Sequence, residues 1–512
     1  MSPVPHDAQP CAPIALVPAP ERLDVSPGRC VLGPDTVIAH DLGGSRAARL
    51  LTDLLAAAPA VGAGAPLVRI AVDPGLDANP EAYRLDTTES SVSVVGASEL
   101  GALHAVQSLR QLLPVDAGTE PWAVACVSIV DRPRLGWRGA MLDVARHFRS
   151  VEFVLRFLDL LALHKFNVLH LHLTDDQGWR LEIEQYPRLT EIGAWRAGTM
   201  VGHMSENRAD ELAHDGLRHG GYYTHDDIRR IVARADELGI TVMPEIDLPG
   251  HSQAAIAAYP ELGNNATANQ VRTGWGISTH ILNVETETLD FFKTVLDTVM
   301  DLFPSKYIHV GGDEVPADEW RESPAAQHRM QELGILDAHE LEDWFIAELN
   351  TQIRARGRTM VGWEEIGDRT LPPGSVLMPW KNAATAIAAV QAGHDVIMAP
   401  STHTYFDHHQ GEDAGSEPLA IGGPLGIRKV YEFEPIPAEL DDDARSHVLG
   451  GQFQLWSEYI PSAEHMEYMA FPRACAIAEV LWSADRDADD FFDRRLPAHL
   501  RRLDALGVAY RR

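Results

Sequence analysis

Two adjacent acidic residues, Asp313 and Glu314, end the predicted strand 307–314 and are preceded by a pair of glycines. Gly311 and Gly312 allow the backbone turn that lets both carboxyl groups face one pocket. Ordinary glycosidases take their two carboxylates from different strands, about 5 Å or about 6.5–9.5 Å apart. Neighbouring carboxylates therefore favour a chemistry in which each group acts on a different bond of one substrate.

Other polar and aromatic residues follow the ends of the remaining predicted strands. They are Arg146, Asp175, His251, Trp363, Trp380, Tyr405, Asp407, Trp456 and Glu458. Any one of them is readily explained as a surface carboxylate or a packing aromatic, but chance explains their recurrence after successive strands poorly. They describe an acidic site with several tryptophans, one arginine and no lysine. Such a site suits a neutral sugar with apolar faces and does not suit a phosphate or a nucleotide.

A metal-dependent hydrolase is one alternative, because His170 and His172 form an HxH pair on one face of the second strand. Such barrels also need further histidine ligands at later strand ends. No histidine ends the predicted strands at 358–367, 375–380, 395–401 and 448–458. The nearby His403, His408 and His409 lie in a loop. We therefore interpret His170 and His172 as hydrogen-bonded residues of the barrel interior, and we predict no metal site and no cofactor.

Nucleophilic catalysis and nucleotide binding have less support. The sequence contains no GxSxG, GxGxxG or GxxxxGK[ST] motif, and Cys475 stands within an apolar helix. The chain has four cysteines, which form no CxxC pair, namely Cys11, Cys30, Cys126 and Cys475. We interpret them as mostly reduced, buried thiols without a metal role.

Strands alternate with helices from Trp137 onward, which is typical of a parallel sheet. Eight strands are predicted, at 137–146, 167–175, 240–248, 307–314, 358–367, 375–380, 395–401 and 448–458. Helices are predicted at 151–164, 224–239, 288–303, 338–356, 382–394, 465–482 and 487–507. This pattern predicts an α/β fold with a (β/α)8 TIM barrel, whose catalytic residues lie at the carboxyl ends of the strands.

Three parts are expected along the chain. Residues 1–21 form a proline-rich leader, 22–133 a small α+β domain, and 134–512 the barrel with its C-terminal helix. Strands at 67–72 and 91–95 and helices at 46–57 and 99–113 are expected in the small domain, which shows no obvious chemistry and is interpreted as a structural brace. The polar connection 180–223 is too long for a plain barrel loop, so it is expected to form part of the rim or an oligomer contact.

The net charge of the chain restricts the classes of molecule that it can bind. The 512 residues include 74 acidic and 43 basic side chains, for a net charge of −31, which repels nucleic acid and anionic lipid. No apolar run approaches the ~20 residues of a membrane span, and the N-terminal residues have neither the basic flank nor the apolar stretch of a signal peptide. We expect a cytoplasmic monomer or homodimer that binds a small molecule or an oligosaccharide and neither nucleic acid nor membrane.

The run 309–314, His-Val-Gly-Gly-Asp-Glu, resembles the H-x-G-G-D-E motif of glycoside hydrolase family 20, the β-N-acetylhexosaminidases. The resemblance continues in order through 143–148, 170–179, 244–251, Gly362 with Trp363, Tyr405 with Asp407, and Trp456 with Glu458. Residues 22–133 resemble the α+β domain that precedes the barrel in that family. The resemblance covers nearly the whole chain and, with several motifs in order, is highly specific.

The resemblance implies a retaining exo-hydrolase that removes terminal N-acetylglucosamine or N-acetylgalactosamine without an enzymic nucleophile. Glu314 would protonate the glycosidic oxygen and later act as the base for water. The 2-acetamido oxygen of the substrate would attack the anomeric carbon and form an oxazolinium ion. Asp313 would accept the acetamide N–H and stabilise the positive charge that develops there.

The resemblance also implies binding roles. Tyr405 would donate to the acetamide carbonyl, and three tryptophans would wall the pocket, namely Trp363, Trp380 and Trp456. Ring hydroxyls would be bound by Arg146, Asp407 and Glu458. Asp175 and His251 would lie behind Glu314 and keep its pKa high, since burial and a neighbouring negative charge both raise the pKa of a carboxyl group.

Two functions of other classes remain as alternatives. A sugar-binding protein on a catalytically silent barrel would lack the acid or its partner carboxylate, and both are present in this sequence. A glycosidase for another substrate class, such as a β-glucosidase, would have the same fold class. Hydrolysis assays with aryl glycosides distinguish these functions.

Overall fold

The computed structural model describes residues 14–41, 43–62, 65–115, 122–206, 213–265, 270–367 and 371–512. Cys11 and the first thirteen residues of the predicted leader lie outside these ranges. Within them Cys30, Cys126 and Cys475 are free, buried thiols. No helix in the described ranges has both the length and the apolar character needed to cross a bilayer.

The N-terminal domain is one six-stranded sheet in the order β1-β6-β4-β5-β3-β2, with helices α1 (Arg46–Leu55) and α2 (Glu99–Leu112). The strands are β1 (Arg22–Leu32), β2 (Val37–His40), β3 (Leu67–Val72), β4 (Tyr83–Thr87), β5 (Ser91–Gly96) and β6 (Trp122–Asp131). Helix α2 packs on β3, β4 and β5. Strands β3 and β5 and both helices match the prediction. The prediction missed β1, β2, β4 and β6.

The remaining chain forms the predicted closed barrel of eight parallel strands, in the spatial order β7-β8-β13-β14-β15-β16-β17-β18. The barrel strands are β7 (Trp137–Asp143), β8 (Val168–His172), β13 (Thr241–Glu245), β14 (Tyr307–His309), β15 (Thr359–Trp363), β16 (Val376–Met378), β17 (Asp395–Met398) and β18 (Val448–Leu455). Each ends before the predicted boundary, so most of the predicted site residues follow the strands, whereas Trp363 is the last residue of β15. This arrangement confirms the (β/α)8 fold with a preceding α+β domain.

Helices surround the barrel. They are α3 (Val151–Leu163), α4 (Arg188–Glu191), α5 (His225–Leu238), α6 (Gln253–Ala258), α7 (Thr286–Leu302), α8 (Asp318–Glu322), α9 (Pro324–Leu333), α10 (Glu340–Ala355), α11 (Ala383–Gln391), α12 (Ser401–Thr404), α13 (Ile427–Tyr431), α14 (Asp442–Arg445), α15 (Ala463–Ala470), α16 (Arg473–Trp482), α17 (Ala488–Asp490) and α18 (Leu496–Ala505). The helix predicted over 465–482 is therefore two helices, α15 and α16. Pro472 separates them because proline cannot donate a backbone hydrogen bond inside a helix.

Local sequence accounts for the helix ends. The Thr224 side chain accepts the amide hydrogen of Asp227, and the Asp227 carboxylate accepts the amide hydrogen of Thr224 in return, which forms a capping box at the start of α5. Gly239 ends that helix with a left-handed φ of 74°. Ile228, Ile231 and other apolar residues on one face of α5 are buried, as their helical spacing predicts.

The long connection after β8 lies at the rim of the barrel. It contains the short strands β9 (Thr174–Asp175), β10 (Gly178–Trp179), β11 (Trp195–Arg196) and β12 (His219–Gly220). The buried Arg196 donates to the carbonyl oxygen of Arg146 at 2.6 Å, and Arg180 donates to the carbonyl oxygen of Ala145 at 2.5 Å. The connection thus supports the loop that follows β7.

Candidate active site

A pocket of about 310 Å³ opens at the carboxyl ends of the barrel strands. Nine of the eleven predicted site residues line it, namely Arg146, His251, Asp313, Glu314, Trp380, Tyr405, Asp407, Trp456 and Glu458. Ser401, His408 and Ile421 complete the lining. This volume is at the small end of the range for ligand pockets, about 300–1,000 Å³.

Trp363 and Asp175 are the two predicted residues that do not line the pocket. Trp363 is 1% exposed, its ring centroid lies 5.6 Å from that of Trp456, and its indole N–H donates to Glu245 at 3.0 Å. It therefore supports the aromatic wall instead of forming its surface. Asp175 is buried behind His251 and Arg146, as its predicted position requires.

The turn after β14 brings the two carboxyl groups into the pocket. Gly311 and Gly312 have left-handed φ angles of 69° and 86°, and Glu314 itself has φ of 52°. The amide of Gly312 donates to Asp247 at 3.3 Å, which ties the turn to the loop after the neighbouring strand β13. A non-glycine residue at positive φ is uncommon and is held there by its surroundings.

Replacing Gly311 by alanine is expected to destabilise this turn strongly. A Cβ at Gly311 would lie 1.7 Å from Oδ1 of Asp247, and its φ is unfavourable for alanine. We expect a loss of roughly 3 kcal/mol or more in the free energy of unfolding, together with loss of activity. Gly334→Ala is the matched control, because its φ is 70° but a Cβ there meets no atom within 4 Å. Equal effects of the two substitutions in thermal denaturation would contradict this explanation.

A chain of buried polar groups lies behind the carboxylate pair. Nδ1 of His251 donates to Asp175 at 3.2 Å, while its Nε2 lies 3.5 Å from Oε2 of Glu314 and 3.8 Å from Oδ2 of Asp313. Asp175 also contacts Arg146 at 2.7 Å and His172 at 3.0 Å. His251 is thus the group through which the buried charges act on the pair.

The pKa of Glu314 is lowered, which is opposite to the prediction from the sequence. Burial raises the pKa of this carboxyl group, but the hydrogen bond and the positive charge of His251 outweigh burial. His251 stays charged because Asp175 raises its pKa well above the usual range, although burial opposes this. The prediction was wrong because it counted the negative charge of Asp175 and omitted the imidazolium between them.

The pKa of Asp313 is shifted in the opposite direction, upwards. Burial first, and then the charges of Glu365, Glu314 and Glu245, raise its pKa to about 7, although His251 opposes them. Its Oδ1 is buried without a hydrogen-bond partner. The pair therefore has one high and one low proton affinity, and Asp313 presents an unsatisfied oxygen that a ligand N–H could meet.

Acidic groups and one arginine occupy another part of the pocket. Burial and the adjacent Glu458 raise the pKa of Asp407 well above its usual range, and its Oδ1 is buried without a partner. The guanidinium carbon of Arg146 lies 5.0 Å from the centroid of the Trp456 ring. Hydrogen-bonding groups beside an aromatic face suit the hydroxyl groups and apolar face of a pyranose.

Tyr405 is held between aromatic rings. Its ring centroid lies 6.0 Å from that of Trp380, nearly parallel, and 6.4 Å from that of Trp456. Burial, followed by the charges of Asp407 and Asp313, raises the pKa of its phenol well above the usual range. The hydroxyl group therefore remains protonated and can donate to a ligand carbonyl.

Sequence reasoning gave no role to Glu245, which lies at the centre of the barrel interior. His172 and Trp363 donate to its carboxylate at 2.5 and 3.0 Å. His170 and His309 each have a ring nitrogen 2.9 Å from it, and all four residues are buried. The HxH pair of β8 thus surrounds a carboxylate inside the barrel. An acidic residue directly after a buried apolar run, as Glu245 stands after Val242, Met243 and Pro244, is the signal that identifies it.

Comparison with protein families identifies the chain. Residues 135–485 match the model "Glycosyl hydrolase family 20, catalytic domain", and residues 13–132 match "Glycosyl hydrolase family 20, domain 2". The chain belongs to glycosyl hydrolase family 20. The two matches meet at the junction between the N-terminal sheet and the barrel, with the domain 2 match before it and the catalytic match after it.

Relatives of this family 20 chain have been described by sequence and by structure. A "Beta-hexosaminidase" of Porphyromonas gingivalis is 40% identical over 452 residues, which cover 86% of this chain and 56% of that protein. The GH20 beta-N-acetylhexosaminidase structure from Streptomyces coelicolor is 32% identical with a TM-score of 0.82, and 99% of each chain is covered. A GH20 exo beta-N-acetylglucosaminidase from Vibrio harveyi in complex with N-acetylglucosamine is 35% identical with a TM-score of 0.84, covering 100% of this chain and 81% of that one.

Proposed function

We propose that this family 20 protein is a retaining exo-β-N-acetylhexosaminidase that releases terminal N-acetylglucosamine or N-acetylgalactosamine from glycosides or chitooligosaccharides. The observation that carries the proposal is the unpartnered Oδ1 of Asp313 beside Glu314, in a pocket that also contains the protonated Tyr405. An acceptor and a donor that line one small pocket suit the N–H and the carbonyl of one acetamide group. The N-acetylglucosamine bound by the Vibrio harveyi relative supports this substrate class.

The proposed reaction uses the substrate's own nucleophile. Glu314 gives its proton to the glycosidic oxygen while the acetamide oxygen attacks the anomeric carbon and the bond to the leaving group breaks. The oxazolinium ion carries its positive charge partly on nitrogen, beside Asp313. Water, deprotonated by Glu314, then attacks the anomeric carbon and reopens the ring. Two inversions at this carbon retain its configuration.

The site geometry supports removal of a single terminal residue. The pocket is small, and the neighbouring side chains of Arg146, Asp407 and Glu458 line it with hydrogen-bonding groups. These side chains would bind the ring hydroxyls of a terminal sugar. Trp380 and Trp456 offer aromatic faces to its apolar surface.

The pH dependence of the proposed reaction follows from the pKa shifts of Asp313 and Glu314. The reaction needs one proton on the pair, positioned on Glu314, and an ionised Asp313. An acetamide N–H bonded to Asp313 favours its ionised form. Since the two groups interact, the singly protonated pair exists between the lowered pKa of Glu314 and the pKa of about 7 of Asp313.

We therefore expect kcat/KM to be highest in mildly acidic solution and to fall about tenfold per pH unit well above pH 7, where the pair loses its last proton. It should fall again below the pKa of Glu314, where the pair gains a second proton. The measurement is kcat/KM from pH 3 to 9. Asp313→Asn serves as the control, since its alkaline limb should move to lower pH, towards the lowered pKa of Glu314. A profile that stays flat between pH 6 and 9 would be incompatible with the shared proton.

The direct test compares aryl glycosides. An aryl 2-acetamido-2-deoxy-β-glucoside should be cleaved at least about 10³-fold faster than the aryl β-glucoside, because only the first carries the nucleophile. Equal cleavage of both would favour a β-glucosidase, and binding without cleavage would favour a sugar-binding protein. NMR detection of the first-formed anomer adds the stereochemistry, which should be retained.

A further inference from the structure

Two carboxylates after β15 hold the residues that follow the neighbouring strand β16. Oε2 of Glu364 accepts the backbone amide hydrogens of Trp380 and Lys381, both at 2.9 Å. Oε2 of Glu365 accepts the indole N–H of Trp380 at 3.1 Å, and its Oε1 lies 2.7 Å from Nζ of Lys381. We call Glu364, Glu365 and Lys381 the carboxylate clamp.

The barrel register explains why these residues meet. β15 and β16 are parallel neighbours in which Trp363 is opposite Met378, so the residues just beyond both strand ends face each other. The clamp fixes Trp380 at its backbone, at its indole nitrogen and, through Lys381 5.1 Å from the ring centroid, beside its face. Of these residues only Trp380 lines the pocket.

We propose that Glu365 is a positioning residue of the active site, which holds the Trp380 ring in the pocket wall through the indole hydrogen bond. This inference rests on the proposed function, in which Trp380 encloses the sugar bearing the acetamide. Glu365 itself does not line the pocket, so it acts through Trp380. A ring free to rotate about its side-chain bonds would leave the acetamide less well enclosed.

Glu365 also contributes charge beside the reacting pair. The charged and titratable groups that face Asp313 are His251, Glu314, Glu365, Glu245, Asp247 and Tyr405. Among the neighbouring charges that raise the pKa of Asp313, Glu365 makes the largest contribution. The pKa of Glu365 is itself raised, because burial outweighs the hydrogen bonds from Lys381 and Trp380. A carboxyl group that is buried at a net cost beside a pocket is more typical of a functional site than of a stabilising contact.

The experiment compares four variants with the wild-type chain. Glu365→Ala removes the indole acceptor and the charge, whereas Glu365→Gln keeps an acceptor oxygen and removes only the charge. Trp380→Ala gives the effect of losing the ring. Glu348→Ala is the matched control, since it breaks a Lys–Glu contact of 3.1 Å with Lys293 on the outer helices. The readouts are kcat and KM for an aryl N-acetyl-β-glucosaminide, the affinity for N-acetylglucosamine thiazoline, and the pH profile of kcat/KM.

We expect Glu365→Ala to weaken thiazoline binding about 10-fold or more, in the direction of Trp380→Ala, since it removes one buried hydrogen bond of the ring. Glu365→Gln should bind within about 3-fold of wild type. Its alkaline limb should move to lower pH, because the loss of a nearby negative charge lowers the pKa of Asp313. Glu348→Ala should change neither quantity.

The outcomes separate the two proposals. If the wild-type chain does not cleave the N-acetyl-β-glucosaminide, the proposed function fails and this inference fails with it. If the wild-type chain cleaves it but Glu365→Ala keeps its thiazoline affinity, the positioning role of Glu365 is overturned and the proposed function stands. An unchanged alkaline limb in Glu365→Gln overturns the effect of its charge on Asp313. Should Glu365→Ala fail to fold, Glu365→Leu, which has no acceptor oxygen but fills similar space, replaces it in the thiazoline measurement, and an unchanged affinity overturns the positioning role.

Discussion

Glu314→Gln is expected to lower kcat about 10²–10⁴-fold on substrates with a poor leaving group, while inhibitor affinity stays close to that of wild type. Glutamine keeps the shape of the side chain but cannot deliver a proton to the glycosidic oxygen. A nitrophenolate leaving group needs little protonation, so the loss on an aryl substrate of this kind should be much smaller. The measurement is the ratio of the two losses, from kcat on a chitooligosaccharide and on a nitrophenyl glycoside.

Glu322→Gln is the matched control, since Glu322 is an exposed carboxylate on the following helix α8 and should leave both rates unchanged. Equal losses on good and poor leaving groups would show that Glu314 is not the acid. Glu314 has a φ of 52°, and glutamine is restricted at positive φ to about the same degree as glutamate. Thermal denaturation of Glu314→Gln should therefore be near that of wild type, whereas Gly311→Ala should be strongly destabilised.

The barrel could be predicted from the sequence because short runs rich in apolar residues alternate with helical patterns, and strands such as β7 and β8 are buried along their whole length. Their ends were placed too late because burial continues into the loops, where residues such as Arg146 and His147 are also buried. Strand β1 was missed for the opposite reason. Most of Arg22–Leu32 is exposed or partly exposed, so no apolar alternation marks it.

The positions of the predicted residues after strands indicated that they would lie near one another, but did not indicate their proton affinities. The sequence contains Asp175, His251 and Glu314 without stating that the imidazole stands between the two carboxyl groups. That geometry reverses the sign of the pKa shift at Glu314. Trp363 was likewise identified, but only the fold shows that its indole N–H points to Glu245 and not into the pocket.

Residues that support the site carry the weakest sequence signal. Glu365 follows a strand like many surface carboxylates, and only the register of β15 and β16 brings it to Trp380. Asp247 holds the turn of Gly312 through a single hydrogen bond between the loops after adjacent strands. Contacts of this kind depend on which strands are neighbours in the barrel and on their register, which composition and periodicity do not encode.

Fluorination of the substrate's acetyl group is expected to slow kcat progressively, because each fluorine withdraws charge from the attacking oxygen. Asp313→Asn should lower kcat about 10²–10³-fold, since the positive charge on nitrogen appears only as the oxazolinium ring closes. Binding of the product sugar should change little, because that ligand carries no such charge. A thiazoline mimic of the bicyclic intermediate should bind wild type far more tightly than the product does, and Asp313→Asn should lose most of this difference.

The control is Asp318→Asn, which alters an exposed carboxylate on α8 and should leave the fluorine dependence intact. The unpartnered Oδ1 of Asp313 is what makes the comparison decisive, since a buried oxygen with no hydrogen-bond partner gains most when an N–H arrives. If the acetamide oxygen is the nucleophile, the dependence of kcat on fluorination should be steep for wild type. Rates that ignore fluorination, or products with inverted configuration, would require a water nucleophile activated by a second carboxylate. In the described pocket Asp313 and Asp407 would then be the candidates, and Asp313→Asn would lose activity equally on substrates with and without the acetamide.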